Sequence, residues 1–394
     1  MSDSGVRDYD VLIVGAGLPG LALTLSLRNS GLTVGLVDRR LPIAGTSAEW
    51  DSRIYAISPG NARLLHELGV WSRIDPERMA PMESMRVLGD QPGTQLDFSA
   101  FDSGERALAW LVEQQALMTA TLAAWRAGDV ETIHVDSPPE TLSRKADRIA
   151  VGLADGQVLS SKLLVGADGL QSWVREQSGI HSERRSYGQS AVVANFETGR
   201  PHHGRAWQWF RPDGGVLAWL PLPGRRMSIV WSSPQPAADE LLGLDDAAFA
   251  AAVEVAGGQA LGQLSLITPR ASFPLSFVRP ASPIANRIAL IGDAAHGVHP
   301  LAGQGLNLGY GDVGALAAVL RERGPIGDPG SGLLLGRYAR ERSWPTRSMQ
   351  AVTDGLWRLF NAENPVSATI RNRGMSALNR FPAVKAILMQ PAMR

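Results

Sequence analysis

The chain has 394 residues, 38 basic and 38 acidic, with no cysteine. That length suits two domains, or one large domain with an insertion, and can bury a sizeable core. Zero net charge removes the field that would draw the whole molecule toward nucleic acid, and the lack of cysteine excludes disulfides, thiolate nucleophiles and cysteine-ligated metal clusters. The polar stretch Met1–Asp10 runs directly into a strand pattern with no basic and apolar leader, so a cytoplasmic location is expected. No uncharged apolar run reaches bilayer length, so any lipid contact is expected to be peripheral.

In chain order, the apolar run Val11–Val14 predicts a buried parallel strand, Gly15–Gly20 opens a helix to about Ser30, and Thr33–Val37 predicts a second strand, which together make a βαβ unit. Asp51–Trp71 reads as a polar loop followed by a helix with Leu64, Leu65 and Leu68 on one face, and Leu108–Trp125 as a long helix. Leu163–Val165 predicts a strand ending in Gly166-Ala-Asp-Gly169, with a helix over Ser172–Gln177. From Ala191 to Ser233 the period becomes two, with Trp207 and Trp209 alternating against Gln208 and Phe210; turn chemistry at Pro212–Gly215 and Pro223-Gly224 then predicts an antiparallel sheet inserted into an α/β frame. Arg287–Ile291 returns to a buried strand, a glycine-rich loop follows, and a helix runs over about Leu306–Leu320. Residues 324–332 read as a linker and the remainder as mostly helical.

Two constellations carry chemistry. In Gly15-x-Gly17-x-x-Gly20, between strand and helix, Gly15 allows the tight turn, Gly17 lets the backbone approach a pyrophosphate, and Gly20 permits close helix packing. Asp38, closing the next strand with Arg39 beside it, stands where an acid accepts hydrogen bonds from the adenosine ribose. This motif alone leaves NAD and FAD both open. The second constellation runs from Arg287 through Gly292-Asp293, His296, His299-Pro300, Gly303-Gln304-Gly305, Leu306 and Asn307 to Gly309, with Asp312 beyond. A strand ending in Asp293 aims a carboxylate at a polyol, which the ribityl chain of FAD has and NAD lacks. The loop Pro300–Gly305 delivers a helix N-terminus suited to an anionic reduced flavin.

These residues carry a resemblance to the single-component FAD-dependent aromatic hydroxylases, and within them to the ubiquinone-biosynthesis hydroxylases of the UbiH, UbiF and VisC type. The matching segments are Gly15–Gly20, Asp51-Ser-Arg53, Leu163–Gly169 with Ser172–Arg175, Gly292–Gly309, and in the tail Thr353-Asp-Gly-Leu, Arg373-Gly374 and Pro382–Lys385. The resemblance implies a p-hydroxybenzoate-hydroxylase-like α/β fold: a Rossmann-like FAD-binding domain over 1–75, 105–185 and 270–330, an inserted antiparallel substrate domain over 76–104 and 186–269, and a helical region over 331–394. It implies that Arg53 contacts the flavin or its pyrophosphate, Gln114 hydrogen-bonds near the ribityl chain, Asp168 lies where FAD and a passing NADPH or NADH meet, and Asp293 binds the ribityl chain. Gly305, Leu306 and Asn307 would add to the cofactor contacts, and Pro300, Gly303, Gln304 and Gly305 would form the catalytic loop. Asp38 stands where the family more often has glutamate, and Glu113-Gln114-Gln115 replaces a more typical Glu-Asn-Arg. The implied reaction is reduction of FAD by NAD(P)H, capture of oxygen as a C4a-hydroperoxide, and transfer of one oxygen atom to an aromatic ring, most simply a polyprenylated phenol.

Plainer readings stand beside these. Arg53 as a surface arginine, Asp168 as a helix cap, His296 as a structural residue and the tryptophans as sheet core all fit the same letters. No metal site is expected. A hydroxylase of a soluble aromatic compound and a non-catalytic flavin-binding scaffold are the alternative functions. Residues 331–394 hold ten basic residues against three acidic ones, a net of +7; this region either packs its apolar stripe on the flavin domain with its arginines solvated or paired, or places a basic, partly apolar face on an anionic membrane or a biosynthetic complex.

Overall fold

The structure, a computed structural model, describes residues 6–361 apart from 46–48, 90, 92, 129–132, 136, 212 and 300–302. In chain order the first half runs β1 (Arg7–Val14), α1 (Leu18–Ser26), β2 (Val34–Asp38), β3 (Ile54–Ile57), α2 (Pro59–Glu67), β4 (Met79–Met82), β5 (Ser84–Leu88), β6 (Gln95–Ser99), β7 (Ala109–Glu113), α3 (Gln114–Arg126), β8 (Ile133–Val135), β9 (Pro139–Arg144), β10 (Ile149–Leu153), β11 (Val158–Gly166) and α4 (Trp173–Gln177). The second half runs β12 (Ser182–Thr198), β13 (Arg205–Phe210), β14 (Val216–Leu222), β15 (Arg226–Pro234), α5 (Gln235–Gly243), α6 (Asp246–Ala256), β16 (Leu264–Leu266), β17 (Ala271–Pro280), β18 (Ile284–Ala285), β19 (Ile288–Leu290), α7 (Gly305–Arg321) and α8 (Gly332–Asn361).

Three sheets organise these elements. The first has the order β18-β19-β11-β1-β2-β8, with β10 and β9 extending from β11; β19, β11, β1, β2 and β8 are mutually parallel. Strands buried on both faces read as continuous apolar runs, and Val11, Leu12, Ile13, Leu163, Leu164 and Val165 are fully buried. Helices α1, α3 and α7 cover one face through Leu21, Leu23, Leu117, Leu122, Val313 and Leu316. Each such side chain contributes about 1.5–3 kcal/mol on burial. The second sheet has the order β16-β12-β15-β14-β13-β5-β6, with β17 also paired to β12. A small third sheet, β3-β7-β4, lies between them in the chain.

The tryptophan alternation resolves as core. Trp219 and Trp231 are buried with Leu217, Ile229 and Phe196, under Leu241 of α5 and Phe249 of α6, and Trp207 and Trp209 pack against this cluster. The opposite face meets the third sheet, where Ala206 and Leu222 pack with Ala56 and Leu111. Two elements differ from the sequence expectation. Residues 109–113 are strand rather than the start of a helix, and 54–57 are strand rather than loop. Both are short, mostly apolar stretches of four or five residues, a length at which helical and strand periodicities cannot be told apart.

Helix α8 carries Pro345 in its interior. Before it, Tyr338 Oη donates to Leu290 O at 2.7 Å and Arg342 Nε donates to Asp312 Oδ1 at 2.7 Å. Beyond it, Gln350 Nε2 donates to Val278 O at 3.0 Å and Trp357 Nε1 to Gln189 Oε1 at 3.3 Å. One helix is thus fastened to the parallel-sheet unit on one side of the proline and to the second sheet on the other.

Candidate flavin site

The three βαβ glycines differ in what surrounds them. Gly15 has φ +113°, and a Cβ there would fall 2.3 Å from Ala167 O; a Cβ at Gly20 would fall 1.9 Å from Gly15 O. Both positions demand close backbone approach. Gly17 is different, because a Cβ there would meet nothing nearer than Pro19 Cδ at 4.0 Å. The space in front of Gly17 is open, and it lies at the N-terminus of α1, which has no side-chain cap. An uncapped helix N-terminus with free space before it suits a phosphate. Asp38 Oδ2 accepts from Ala16 N at 2.6 Å, so the strand-end acid also fixes the glycine turn. Arg39, next to it, is exposed.

The second motif arrives at the same place. A Cβ on Gly292 would lie 3.2 Å from Pro19 Cγ, and one on Gly309 would lie 3.3 Å from Pro19 Cγ and 3.2 Å from Gly292 Cα. The α1 N-terminus, the end of β19 and the first turns of α7 therefore touch, although more than 270 residues separate Pro19 from Gly292 in sequence. Asp293 is open to solvent although protein crowds it, as expected of a carboxylate on the floor of a cleft. That crowding raises its carboxyl above the usual range, with His296 and Arg53 pulling the other way and Asp312 adding to the rise.

Arg53 faces the same cleft. Its side chain is exposed, with the guanidinium 5.7 Å from the Tyr55 ring centre and 4.7 Å from that of Phe273. Asp51 and Glu113 position it. Asp51 Oδ1 accepts from Arg53 N at 2.9 Å and its Oδ2 from Gln115 N at 3.1 Å, while Glu113 Oε1 accepts from Asp51 N at 2.6 Å. Gln114 takes part twice, since its N–H donates to Arg53 O at 2.9 Å and its Oε1 accepts from Tyr55 Oη at 3.2 Å. Burial pushes the Tyr55 phenol up from its ordinary range, Arg53 opposing and Asp293 and Asp51 assisting. Tyr55 carried no signal in the sequence beyond standing two residues from Arg53.

Asp168 lies under the glycine turn, since a Cβ on Gly15 would come within 2.9 Å of its N. Its carboxylate is engaged by Ser172 Oγ at 2.5 Å and Val174 N at 3.0 Å, at the start of α4. Asn307 is similarly committed: it donates to Ala56 O at 2.8 Å and accepts from Ser58 N and from Asn61 Nδ2, both at 3.0 Å. It locks α7 to the β3–α2 junction and leaves the backbone of Gly305 and Leu306 at the helix N-terminus, where no side chain caps α7. Gln304 is buried, Gly303 is exposed with φ +63°, and Pro300 lies outside the described residues.

Behind the site stands an ionic cluster that sequence reading missed. Asp312 Oδ2 meets His296 Nε2 at 2.6 Å and accepts from Gly292 N at 2.9 Å, while its Oδ1 accepts from Arg342. Burial pushes the Asp312 carboxyl up, but His296 and Arg342 together hold it below the usual carboxylate range. His296 is thus tied to a carboxylate 16 residues away, one helix face distant and invisible as a local motif.

Open space at Gly17, two uncapped helix N-termini and an accessible carboxylate at Asp293 fit a dinucleotide bearing a polyol. A family model described as an FAD binding domain matches residues 8–353. The ubiquinone hydroxylase UbiL of Rhodospirillum rubrum is 36% identical over 394 residues, covering 100% of this chain and 91% of the relative. The 3-demethoxyubiquinol 3-hydroxylase of Escherichia coli is 32% identical over 380 residues, covering 95% and 96%. The crystal structure of P. aeruginosa PqsL in complex with 2-aminobenzoylacetate matches with a TM-score of 0.77 at 23% identity, covering 95% of this chain and 100% of that one, which carries the likeness of fold. Geometry, family model and full-length relatives agree: the chain belongs to the FAD-dependent hydroxylase family that includes the ubiquinone-biosynthesis hydroxylases of the UbiH and UbiF type.

Proposed function

We propose that this hydroxylase adds one oxygen atom to the aromatic ring of a polyprenylated phenol on the ubiquinone pathway, with NADPH or NADH as reductant. The observation that carries the reading is the meeting of Pro19, Gly292 and Gly309 at one point; the names of its full-length relatives support the substrate class. FAD, when bound, supplies the redox and oxygen chemistry. The chain supplies binding, orientation and exclusion of water. The Gly17 turn and the α1 N-terminus receive the pyrophosphate. Asp38 and Arg39 serve the adenosine end, Asp293 accepts from a ribityl hydroxyl, and Gln114 and Arg53 flank the flavin with Asp168 beneath the turn. The N–H groups of Gly305 and Leu306, on a helix fixed by Asn307, would hold the flavin ring and favour negative charge on it. Gly303, Gln304 and Gly305 would help keep water from the reacting atoms; Pro300, assigned to the same loop from sequence, lies outside the described residues.

The aromatic ring has a wall. Cross-strand pairing aligns Gln208, Ala218, Val230 and Val193 in one row over four strands, and strand alternation puts that row on the face that meets β3 and β7. Small apolar side chains with one amide suit a flat ring bearing few polar substituents. The domain division follows: the parallel sheet with α7 holds FAD, and the second sheet holds the ring. The deciding experiment measures NADPH oxidation by the FAD-loaded protein with and without a short-chain prenylphenol, together with product. Substrate-stimulated oxidation with hydroxylated product is expected; none would leave a flavin-binding scaffold, and equal turnover of unprenylated phenols would favour a soluble aromatic substrate.

A further inference from the structure

Helix α8 turns its inner face to the flavin unit and the second sheet, and a stripe along its outer face stays exposed. Leu333, Arg337, Arg340, Trp344, Arg347, Ala351, Gly355 and Arg358 are all exposed and follow one another at intervals of three or four residues, which sets them on a single stripe. The stripe holds four arginines, and Glu341 and Asp354 border it. Arg337 pairs with Glu322 and Arg358 with Asp354, whereas Arg340 and Arg347 have no ion pair among the described residues. Between those two arginines stands Trp344, 79% exposed, and Leu333 at the start of the stripe is 83% exposed. A tryptophan this open is unusual on a water-facing helix, because its ring buries well and its N–H tolerates a polar boundary. Arg340 and Arg347 also rim a cleft of about 800 Å³ whose other walls include Arg279 and His181.

We propose that this stripe docks on the surface of an anionic bilayer, Trp344 entering the headgroup boundary and Arg340 and Arg347 pairing with lipid phosphates. The idea rests on the reading of the substrate as a polyprenylated phenol, since such a molecule resides in lipid. It reaches further by naming the surface, the residues and the lipid charge. Basic and aromatic side chains on one helical face match what an interfacial helix presents to anionic lipid. The opposite face of α8 meets the flavin loop, where Gln350 Nε2 lies 3.3 Å from Gly297 O and Arg342 pairs with Asp312. Docking therefore sets the site at a fixed distance from the membrane.

The test is sedimentation of the full-length, FAD-loaded chain with vesicles of phosphatidylcholine alone or mixed with phosphatidylglycerol. Binding is expected only to the mixed vesicles, falling with added salt. The double variant Arg340→Gln/Arg347→Gln should weaken it about thirtyfold, at roughly fivefold for each basic residue near an anionic surface. Trp344→Ala should weaken it as well. Flavin content and turnover of a short-chain soluble phenol should remain as in the parent, which keeps failure to fold apart from failure to dock. Absence of vesicle binding, or equal binding by parent and variants, would overturn the proposal. So would a concentration-dependent dimer abolished by Trp344→Ala while vesicle binding persists, because the stripe would then be an interface between copies. Failure of the parent on short-chain phenol would count against the proposed reaction and leave the docking result standing on its own.

Discussion

Among single residues, the three glycines of the first motif separate binding from folding. Gly17→Val adds a side chain into open space, so the chain should fold with the Tm of the parent apoprotein while its flavin-to-protein ratio collapses. Gly20→Ala drives a methyl into the Gly15 carbonyl, and the resulting strain of at least roughly 3 kcal/mol should appear as a lowered Tm in apoprotein and holoprotein alike. Parallel flavin contents in the two variants would remove the distinction. His299 offers a pH signature. It is fully buried, and burial pulls its pKa from 6.5 to about 4, Asp354 opposing. The unfolded chain takes up a proton below about pH 6.5 that the folded chain refuses until about pH 4, so stability present above 6.5 is lost as pH falls through that window, by roughly 3 kcal/mol. His299→Phe should flatten the fall in Tm between pH 7 and pH 4.5; an unchanged slope would assign it to other groups. These residues differ in how far sequence could reveal them. Gly15, Gly17 and Gly20 announce themselves because their spacing is local and their chemistry is backbone chemistry. Tyr55, Asp312 and Arg342 do not, because each acts on a partner brought near only by the fold: Asp312 holds Gly292 and His296 from one helix and Arg342 answers from another.

Among elements, the proposed site rests on the N-terminus of α7 and on the second sheet. Gln304 is buried where the loop enters α7 and lies 3.4 Å from Asn307 Nδ2 through its Oε1. Gln304→Ala should loosen the loop and admit water, lowering hydroxylated product about tenfold more than NADPH consumption and releasing the difference as hydrogen peroxide. Equal losses in both, with no extra peroxide, would show that the loop guards nothing. On the sheet, Ala218 sits in the middle of the cross-strand row. Ala218→Phe should fill the ring site, abolishing substrate-stimulated oxidation while flavin content stays normal; unaltered turnover would move the ring elsewhere. Parallel strands and the tryptophan sheet were legible because period-two alternation and uninterrupted apolar runs are strong signals. The strand at 109–113 was not, because the apolar run Ala109–Val112 leads straight into α3 and extends a helical pattern smoothly. Of the ten basic residues in 331–394, five stand in α8 against Glu341 and Asp354, and the other five lie outside the described residues.

At the scale of the whole molecule, the flavin site is assembled from β1 and α1 near one end of the chain, from β3 and α3, and from β19 and α7 nearly 300 residues later. A ligand bound across all of them stabilises only the state in which all are in place. Removing FAD should lower Tm, and restoring it should raise stability with the logarithm of its concentration, by about 4 kcal/mol at a thousandfold excess over Kd; an apoprotein with the same Tm would mean that the three parts are held together without it. The two large sheets are joined outside that site by α8, and there Pro345 has a mechanical consequence. With no N–H to give, it leaves the carbonyl of Glu341 without its helical donor, so the bending stiffness of the rod is lowest just where its attachments pass from Asp312 and Leu290 to Val278 and Gln189. A tilt of one sheet against the other concentrates its deformation at that point and spares the hydrogen bonds on either side, so the span between flavin and ring is adjustable by a bend in a single peptide unit.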